Sequence, residues 1–166
     1  MTTDEQLMEA FQGGDRDAYQ ALYTRWSPRI LRFLMRRLGG LVPAEDALQE
    51  TFLRVYRYRD RYTPGRAFRP WLFTIASNVG KRAWRPEPET FEWEPRAEDH
   101  PDLRDYLVRA LGELEEDERR ILLLGIEGFN STEIGEMLEI KPSAVRMRLK
   151  RARDKVKAVL GGLHGG

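Results

Sequence analysis

The side chains that most enzymes use for catalysis are scarce in this chain. It has no cysteine and only two histidines, His100 and His164, which lie far apart in the sequence. Neither a metal cluster nor a nucleophile and base pair is therefore indicated. Carboxylates are plentiful, but their spacing does not place a general acid beside a general base. Neither glycine pair is followed by the lysine and the serine or threonine of a phosphate-binding loop. We expect no metal, no cofactor and no enzymatic activity.

Basic side chains at helical spacing near the C-terminus indicate nucleic-acid binding instead. Asn130 and Glu133 form a predicted capping box that starts one helix, Glu139 and Ile140 make a turn, and Pro142 starts a second helix. The outer face of the second helix carries Arg146, Met147, Lys150, Arg151 and Arg153. This pattern is typical of a helix-turn-helix, whose second helix reads bases and holds phosphates. A solvated basic face is the alternative, and a left-handed Glu139 would cost about 1 kcal/mol.

A second candidate surface lies on the segment AEDALQETFLRVYR, residues 44–57. Leu48, Phe52, Val55 and Tyr56 follow helical spacing and are expected to pack inward. The outer side then carries a strip of acidic, amide, apolar and basic residues: Asp46, Gln49, Glu50, Leu53, Arg54 and Arg57. Such a mixed strip suits a protein partner better than DNA, whereas a solvated helix face is the simpler interpretation.

Aromatic and basic residues are interleaved from Tyr62 to Arg85. Exposed bases of single-stranded DNA stack on aromatic rings with about 1 to 3 kcal/mol each, while arginine and lysine follow the backbone. The candidates for this chemistry are Tyr62, Arg66, Arg69, Trp71, Asn78, Lys81, Arg82 and Arg85. Trp71 also continues the apolar run with Leu72 and Phe73, so a place in the core is favoured for its ring.

Helices must position all three surfaces. Helical spacing predicts helices over 4–12, 16–38, 44–58, 67–84, 103–114, 116–126, 132–138 and 143–160, and no segment alternates long enough to form a strand. Four prolines and six acids between residues 85 and 101 predict a solvated linker. We therefore predict an all-α fold of two small helical domains, 1–85 and 103–166, joined by an acidic, proline-containing linker over 86–102.

The net charge of +1 conceals opposite blocks. Residues 1–85 carry 15 Lys and Arg against 9 Asp and Glu, residues 86–118 carry 3 against 13, and residues 119–166 carry 10 against 5. Two basic domains joined by an acidic strap favour binding to a polyanion, although solvated helix faces explain the blocks equally well. No apolar run approaches the roughly 20 residues of a membrane helix, and we expect a cytoplasmic protein without membrane insertion.

Several of these segments resemble the sigma-70 family, and especially its small extracytoplasmic-function (ECF) type. The segment EGFNSTEIGEMLEIKPSAVRMRLKRAR resembles sigma domain 4, and residues 44–57 resemble the domain 2 helix that grips the polymerase clamp. The segment FRPWLFTIASNVGKRAWR resembles the helix that opens and reads the minus-10 element, and DRDAYQALYTRWSPRILRFLMRRL resembles the opening helix of domain 2. The resemblance extends from about Asp15 to Leu160.

The resemblance implies a transcription initiation factor that binds bacterial core RNA polymerase and directs it to promoter DNA. The strip from Asp46 to Arg57 would bind the polymerase, and the residues from Tyr62 to Arg85 would bind the minus-10 element. At the minus-35 element, Ser143, Arg146, Met147 and Lys150 would lie at or near bases, and Arg148, Arg151 and Arg153 would contact phosphates or pack.

An anti-sigma factor is also an expected partner, and the acidic linker would either enter a polymerase channel or act as a tether. The sequence departs from the family pattern at Ser77, at Glu139 and at Ser143 with Ala144. Two other classes are kept as alternatives. One is a stand-alone helix-turn-helix regulator that binds duplex DNA without the polymerase, and the other is an adaptor whose basic faces bind an acidic protein.

Overall fold

The computed structural model describes residues 1–79 and 109–161, and within these residues the chain forms helices and turns without a β-strand. The helices are α1 (Asp4–Gln12), α2 (Arg16–Leu38), α3 (Leu41–Arg57), a 3-10 turn (Arg59–Arg61), α4 (Phe68–Val79), α5 (Glu116–Ile126), α6 (Ser131–Leu138) and α7 (Pro142–Gly161). Residues 109–112 are also helical. The predicted all-α class is confirmed. The predicted linker and both its boundaries lie outside the described residues.

The N-terminal unit, residues 1–79, is a helical bundle around an aromatic core. Asp15 caps α2 by accepting the backbone N–H groups of Asp17 and Ala18, and α2 ends at Gly39, whose φ of 81° is left-handed. The rings of Phe33 and Phe73 meet edge to face with centroids 5.2 Å apart. Through such contacts α2 packs against both α3 and α4, which sets the positions of their outer surfaces.

Helix α3 begins at Leu41, three residues earlier than the sequence predicts. Gly40 is extended at the N-cap and Pro43 fits in the first turn, where a missing N–H is harmless. Tyr56 was expected to pack inward, and this prediction is wrong, because its side chain is 39% exposed. It lies one position past buried Val55 and so falls at the edge of the apolar stripe, with its ring 5.3 Å from that of Phe11.

The C-terminal unit, residues 109–161, contains the predicted helix-turn-helix in α6 and α7. The predicted capping box of Asn130 and Glu133 is present, and α6 begins at Ser131, one residue before the predicted range of 132–138. Glu139 is left-handed at φ 58° and ends that helix. At Gly135 any Cβ atom would lie 2.7 Å from the Ile140 carbonyl oxygen, so only glycine allows the turn to approach so closely.

A partly buried ion pair joins α5 to α7, with the Lys155 side chain 41% exposed. Glu118 is 3% exposed, and its carboxylate accepts a hydrogen bond of 2.6 Å from the Lys155 ammonium. Burial acts to raise the pKa of Glu118. The hydrogen bonds that its carboxylate accepts from Lys155 and from the backbone N–H of Glu115 outweigh burial and lower the pKa. The pair therefore fixes α7 against α5 within the C-terminal unit.

The two units pack against each other mainly through arginines. Arg69 of α4 donates to the Glu127 carbonyl and lies 4.2 Å over the Phe129 ring. Arg37 of α2, fully buried, pairs with Glu116 of α5. Further polar contacts between the units are Arg29 with Glu127 at 3.0 Å, and Arg120 with both Ser77 and Asn78. An apolar contact also joins the units, because the rings of Phe73 and Phe129 meet with centroids 5.4 Å apart.

Candidate functional site

The exposed side of α3 presents a continuous seam. Val42, Asp46, Gln49, Leu53 and Tyr56 are all exposed, and their spacing alternates between four and three residues. This is the spacing at which one helix packs along another. Val42 is 57% and Leu53 is 48% exposed, although both are large and apolar. We call these five residues the α3 seam, and their geometry suits a helical protein partner.

The predicted polymerase-binding residues divide into two groups on α3. Asp46, Gln49, Leu53 and Arg57 are exposed, whereas Glu50 and Arg54 are half-buried and pair with each other at 3.0 Å. Sequence reasoning missed Val42, because the helix was predicted to start at residue 44. It also missed Tyr56, which was assigned to the core. The seven-residue repeat of 42, 49 and 56 was the signal that could have found both.

A second surface lies where α3, the 3-10 turn and α4 meet. An open cavity of about 230 Å³ is lined by Arg54, Tyr58, Arg61, Trp71, Ile75 and Asn78. The Arg61 guanidinium lies 4.3 Å over the Tyr58 ring. This cavity, called the α4 cavity below, combines aromatic faces, cationic groups and one amide, which together suit an unpaired nucleobase and its phosphate.

The structure brings together only some of the residues predicted to bind the minus-10 element. Trp71 and Asn78 line the α4 cavity, and Arg66 is exposed nearby in sequence. Tyr62 is 2% exposed, and its ring packs against Trp71 at 5.5 Å while its hydroxyl donates to the Arg66 carbonyl. Its ring has no open face in this arrangement. Trp71 both contacts the core and lines the cavity, so its two interpretations are compatible.

Two of these residues are engaged by the C-terminal unit. Arg69 is held by Glu127 and Phe129, and burial together with nearby Arg29 lowers its pKa. The Asn78 amide oxygen accepts a hydrogen bond from Arg120. The other predicted residues, Lys81, Arg82 and Arg85, lie outside the described residues.

A third surface is the outer side of α7. Its exposed members are Ser143, Arg146, Met147, Lys150, Arg151 and Arg153, called the α7 face below. Ser143, Met147 and Lys150 run along the centre of the face, because they are spaced by four and three residues, and Arg146 and Arg151 lie on either side. Arg148 is only partly exposed, and its guanidinium lies 3.9 Å from the Asp117 carboxylate. A packing role therefore suits Arg148 better than a DNA contact.

The described residues offer little support for other kinds of site. Over 1–79 and 109–161, no cluster of three or more histidines and acids could hold a metal ion. No helix in the same two ranges is long and apolar enough to cross a membrane. Seven basic residues and one acid on α7, in contrast, give that helix a strongly positive surface suited to a phosphate backbone.

Comparisons with known proteins agree with this geometry. Residues 22–87 match the Sigma-70 region 2 family, and residues 104–156 match the Sigma-70, region 4 family. The chain is 38% identical to the RNA polymerase sigma factor CarQ of Myxococcus xanthus, over 94% of this chain and 97% of that protein. It is 30% identical to the ECF RNA polymerase sigma-E factor of Escherichia coli K12, over 93% of this chain and 92% of that protein.

Two solved structures have the same fold. CnrH, solved in complex with the cytosolic domain of CnrY, has a TM-score of 0.75 and 27% identity over 96% of this chain and 97% of its own. The sigma factor RpoE of Bartonella quintana has a TM-score of 0.70 and 22% identity over 86% and 96%. The family matches, full-length relatives and arrangement of helices lead to one conclusion: this chain belongs to the sigma-70 family as an RNA polymerase sigma factor of the ECF type.

Proposed function

We propose that this sigma factor binds core RNA polymerase through the α3 seam and recognises promoters with the α4 cavity and the α7 face. The observation that carries the proposal is the separation of three chemically different surfaces on one helical chain. One is mixed and apolar, one is aromatic and cationic, and one is a basic recognition helix. A sigma factor needs all three kinds of surface.

The α3 seam supports polymerase binding because it exposes apolar side chains that the fold does not bury. Burying a leucine or valine side chain contributes about 1.5 to 3 kcal/mol. Leu53 and Val42 are placed to make that contribution against a helical partner, and polar Asp46 and Gln49 between them would fix its register. Arg57 at the end of the strip adds a charged contact.

The α4 cavity supports binding to melted minus-10 DNA. Duplex DNA hides the faces of its bases, so aromatic side chains can stack on them only after the strands separate. Trp71 and Tyr58 offer rings there, Arg54 and Arg61 offer charge, and Asn78 offers an amide to a base edge. In the described arrangement Asn78 is engaged by Arg120, and this use of the cavity requires its release.

The α7 face supports recognition of the minus-35 element in the major groove. Residues in the first half of a recognition helix approach base edges, while flanking arginines reach the two phosphate walls. Ser143, Arg146, Met147 and Lys150 are exposed in this first half, and Arg151 and Arg153 follow them.

An anti-sigma factor would regulate this protein by binding the same exposed surface that binds polymerase. The related CnrH has been solved with the cytosolic domain of CnrY. A protein that covers the exposed apolar residues of the α3 seam would exclude core polymerase by competition. We place the activity in the cytoplasm, where polymerase and DNA meet, and assign every catalytic step to the polymerase rather than to this chain.

Run-off transcription tests the proposal. Purified bacterial core polymerase, this protein and a fragmented genomic library are combined, and the RNA starts are sequenced. We expect discrete starts that share two upstream motifs. No core-dependent starts, together with tight duplex binding by the free chain, would favour the stand-alone regulator. Binding to acidic proteins with no promoter selectivity would favour the adaptor.

A pair of substitutions on α7 separates base reading from general affinity. Arg146→Ala should weaken binding at one promoter position by about 1 to 3 kcal/mol, whereas Arg151→Ala should weaken all sequences alike and flatten the salt dependence. Both side chains are exposed arginines on the same helix, so each serves as the control for the other. Equal losses on every sequence from both changes would exclude base reading by Arg146.

A further inference from the structure

One large apolar side chain stands at the centre of the polar α7 face. Met147 is 56% exposed and does not belong to the hydrophobic core. Val145 and Ala152, on the other side of the helix, are fully buried. Ser143 and Lys150 lie four residues before it and three residues after it, on the same line. The fold itself therefore gives no packing reason for a methionine at this position.

Two arginines that flank the central line determine what the thioether would face. Arg151 and Arg153 lie on opposite sides of that line and are exposed. If these cations contact the two phosphate walls, the central line faces the floor of the major groove. That floor displays hydrogen-bond donors and acceptors from every base pair, and its one apolar group is the 5-methyl group of thymine.

We infer that Met147 selects thymine within the minus-35 element through contact with the 5-methyl group, an inference that rests on the proposed function. Methionine is unbranched and polarisable, so it adapts to a methyl group at the groove floor. Its thioether sulfur is only a weak acceptor for the exocyclic amine of cytosine or adenine, which the side chain would separate from water. Met147 thus favours thymine both by attraction and by exclusion of its competitors.

Deoxyuridine provides the probe, because it differs from thymidine by this methyl group alone. The assay uses the holoenzyme of core polymerase and the full chain on a promoter identified by run-off transcription. Each minus-35 thymine is replaced in turn by deoxyuridine and holoenzyme binding is measured. We expect one position to lose about fourfold in affinity, which corresponds to roughly 0.8 kcal/mol.

Two variants make the assignment specific to Met147. In Met147→Ala the difference between thymine and uracil should vanish at that position. In Arg151→Ala the fourfold difference should persist, although overall binding weakens. Met147→Leu should retain most of it, because leucine keeps an apolar side chain. A methyl effect that survives in Met147→Ala would overturn the inference.

The remaining outcomes separate this inference from the proposed function. Promoter-specific transcription in which every minus-35 thymine tolerates deoxyuridine would overturn the role of Met147 and leave the sigma function intact. The absence of core-dependent starts on any promoter would overturn both.

Discussion

Arg120 joins the C-terminal unit to Asn78, a residue of the proposed minus-10 site. Its guanidinium is almost fully buried and donates to the Ser77 hydroxyl and to the Asn78 amide oxygen. Asn78 also lines the α4 cavity. We predict that Arg120→Met, which keeps an unbranched side chain and removes the donors, increases the affinity of the free chain for single-stranded minus-10 DNA.

The size of the effect follows from the lost contacts. A hydrogen bond that involves a charged group contributes about 1.5 to 3 kcal/mol, and two such bonds are lost. In the native protein, part of the stabilisation by these two hydrogen bonds is offset. Burial and the nearby Arg37 both disfavour the charged guanidinium and lower the pKa of Arg120. A net loss of about 2 kcal/mol in the contact between the units remains, which corresponds to roughly a 30-fold shift toward separated units.

Fluorescence anisotropy with a labelled non-template oligonucleotide measures this affinity, and small-angle X-ray scattering measures the radius of gyration. We expect tighter binding and a larger radius for Arg120→Met. Lys157→Met removes the same charge from an exposed site on α7 and serves as the control. Loss of a positive charge by itself weakens DNA binding, so the predicted sign is opposite to the electrostatic one. Unchanged affinity and radius in a folded Arg120→Met protein would refute the reasoning.

Three further predictions concern single residues. Glu139→Gly should raise the free energy of unfolding by about 1 kcal/mol, because glycine adopts the left-handed turn without strain, and thermal denaturation with no gain would contradict this. Leu53→Asp should weaken core polymerase binding at least tenfold by placing a charge in the α3 seam, with circular dichroism unchanged; unchanged affinity would remove α3 from the interface. Glu118→Gln should lower stability at pH 7. Folding lowers the pKa of Glu118 below its ordinary value of 4.5. The wild type therefore has this added stability above pH 4.5 and loses it as the pH falls through the pKa of the folded state. Denaturant melts should show a weaker acid dependence in the variant.

Local signals in the sequence predicted the parts of the fold that depend on local interactions. The capping box of Asn130 and Glu133 lies within four residues, and it correctly predicted Asn130 as the N-cap of α6. The left-handed Glu139 was foreseeable because the turn of a helix-turn-helix requires such a residue. The start of α3 was missed, because Pro43 was not recognised as a first-turn residue.

Contacts between distant segments left no local signal. Arg120 and Ser77 are 43 residues apart in sequence, and Arg29 and Glu127 are 98 residues apart. The helical spacing of an arginine predicts a solvated or DNA-binding residue. The neighbouring sequence does not show that another unit will cover its side chain. For the same reason Arg69 was predicted as a DNA contact, while the structure places it against Glu127.

The α3 seam also bears on how long a complex lasts. Its apolar residues lie toward the two ends, Val42 at one and Leu53 with Tyr56 at the other, and the polar pair of Asp46 and Gln49 lies between them. A wholly apolar seam would bind more tightly and would dissociate slowly, because differences in affinity between related complexes arise mostly in the dissociation rate. If the α3 seam binds polymerase as proposed, its polar centre shortens the residence time of that complex. A specificity subunit that shares one polymerase with competing subunits is served by such rapid exchange.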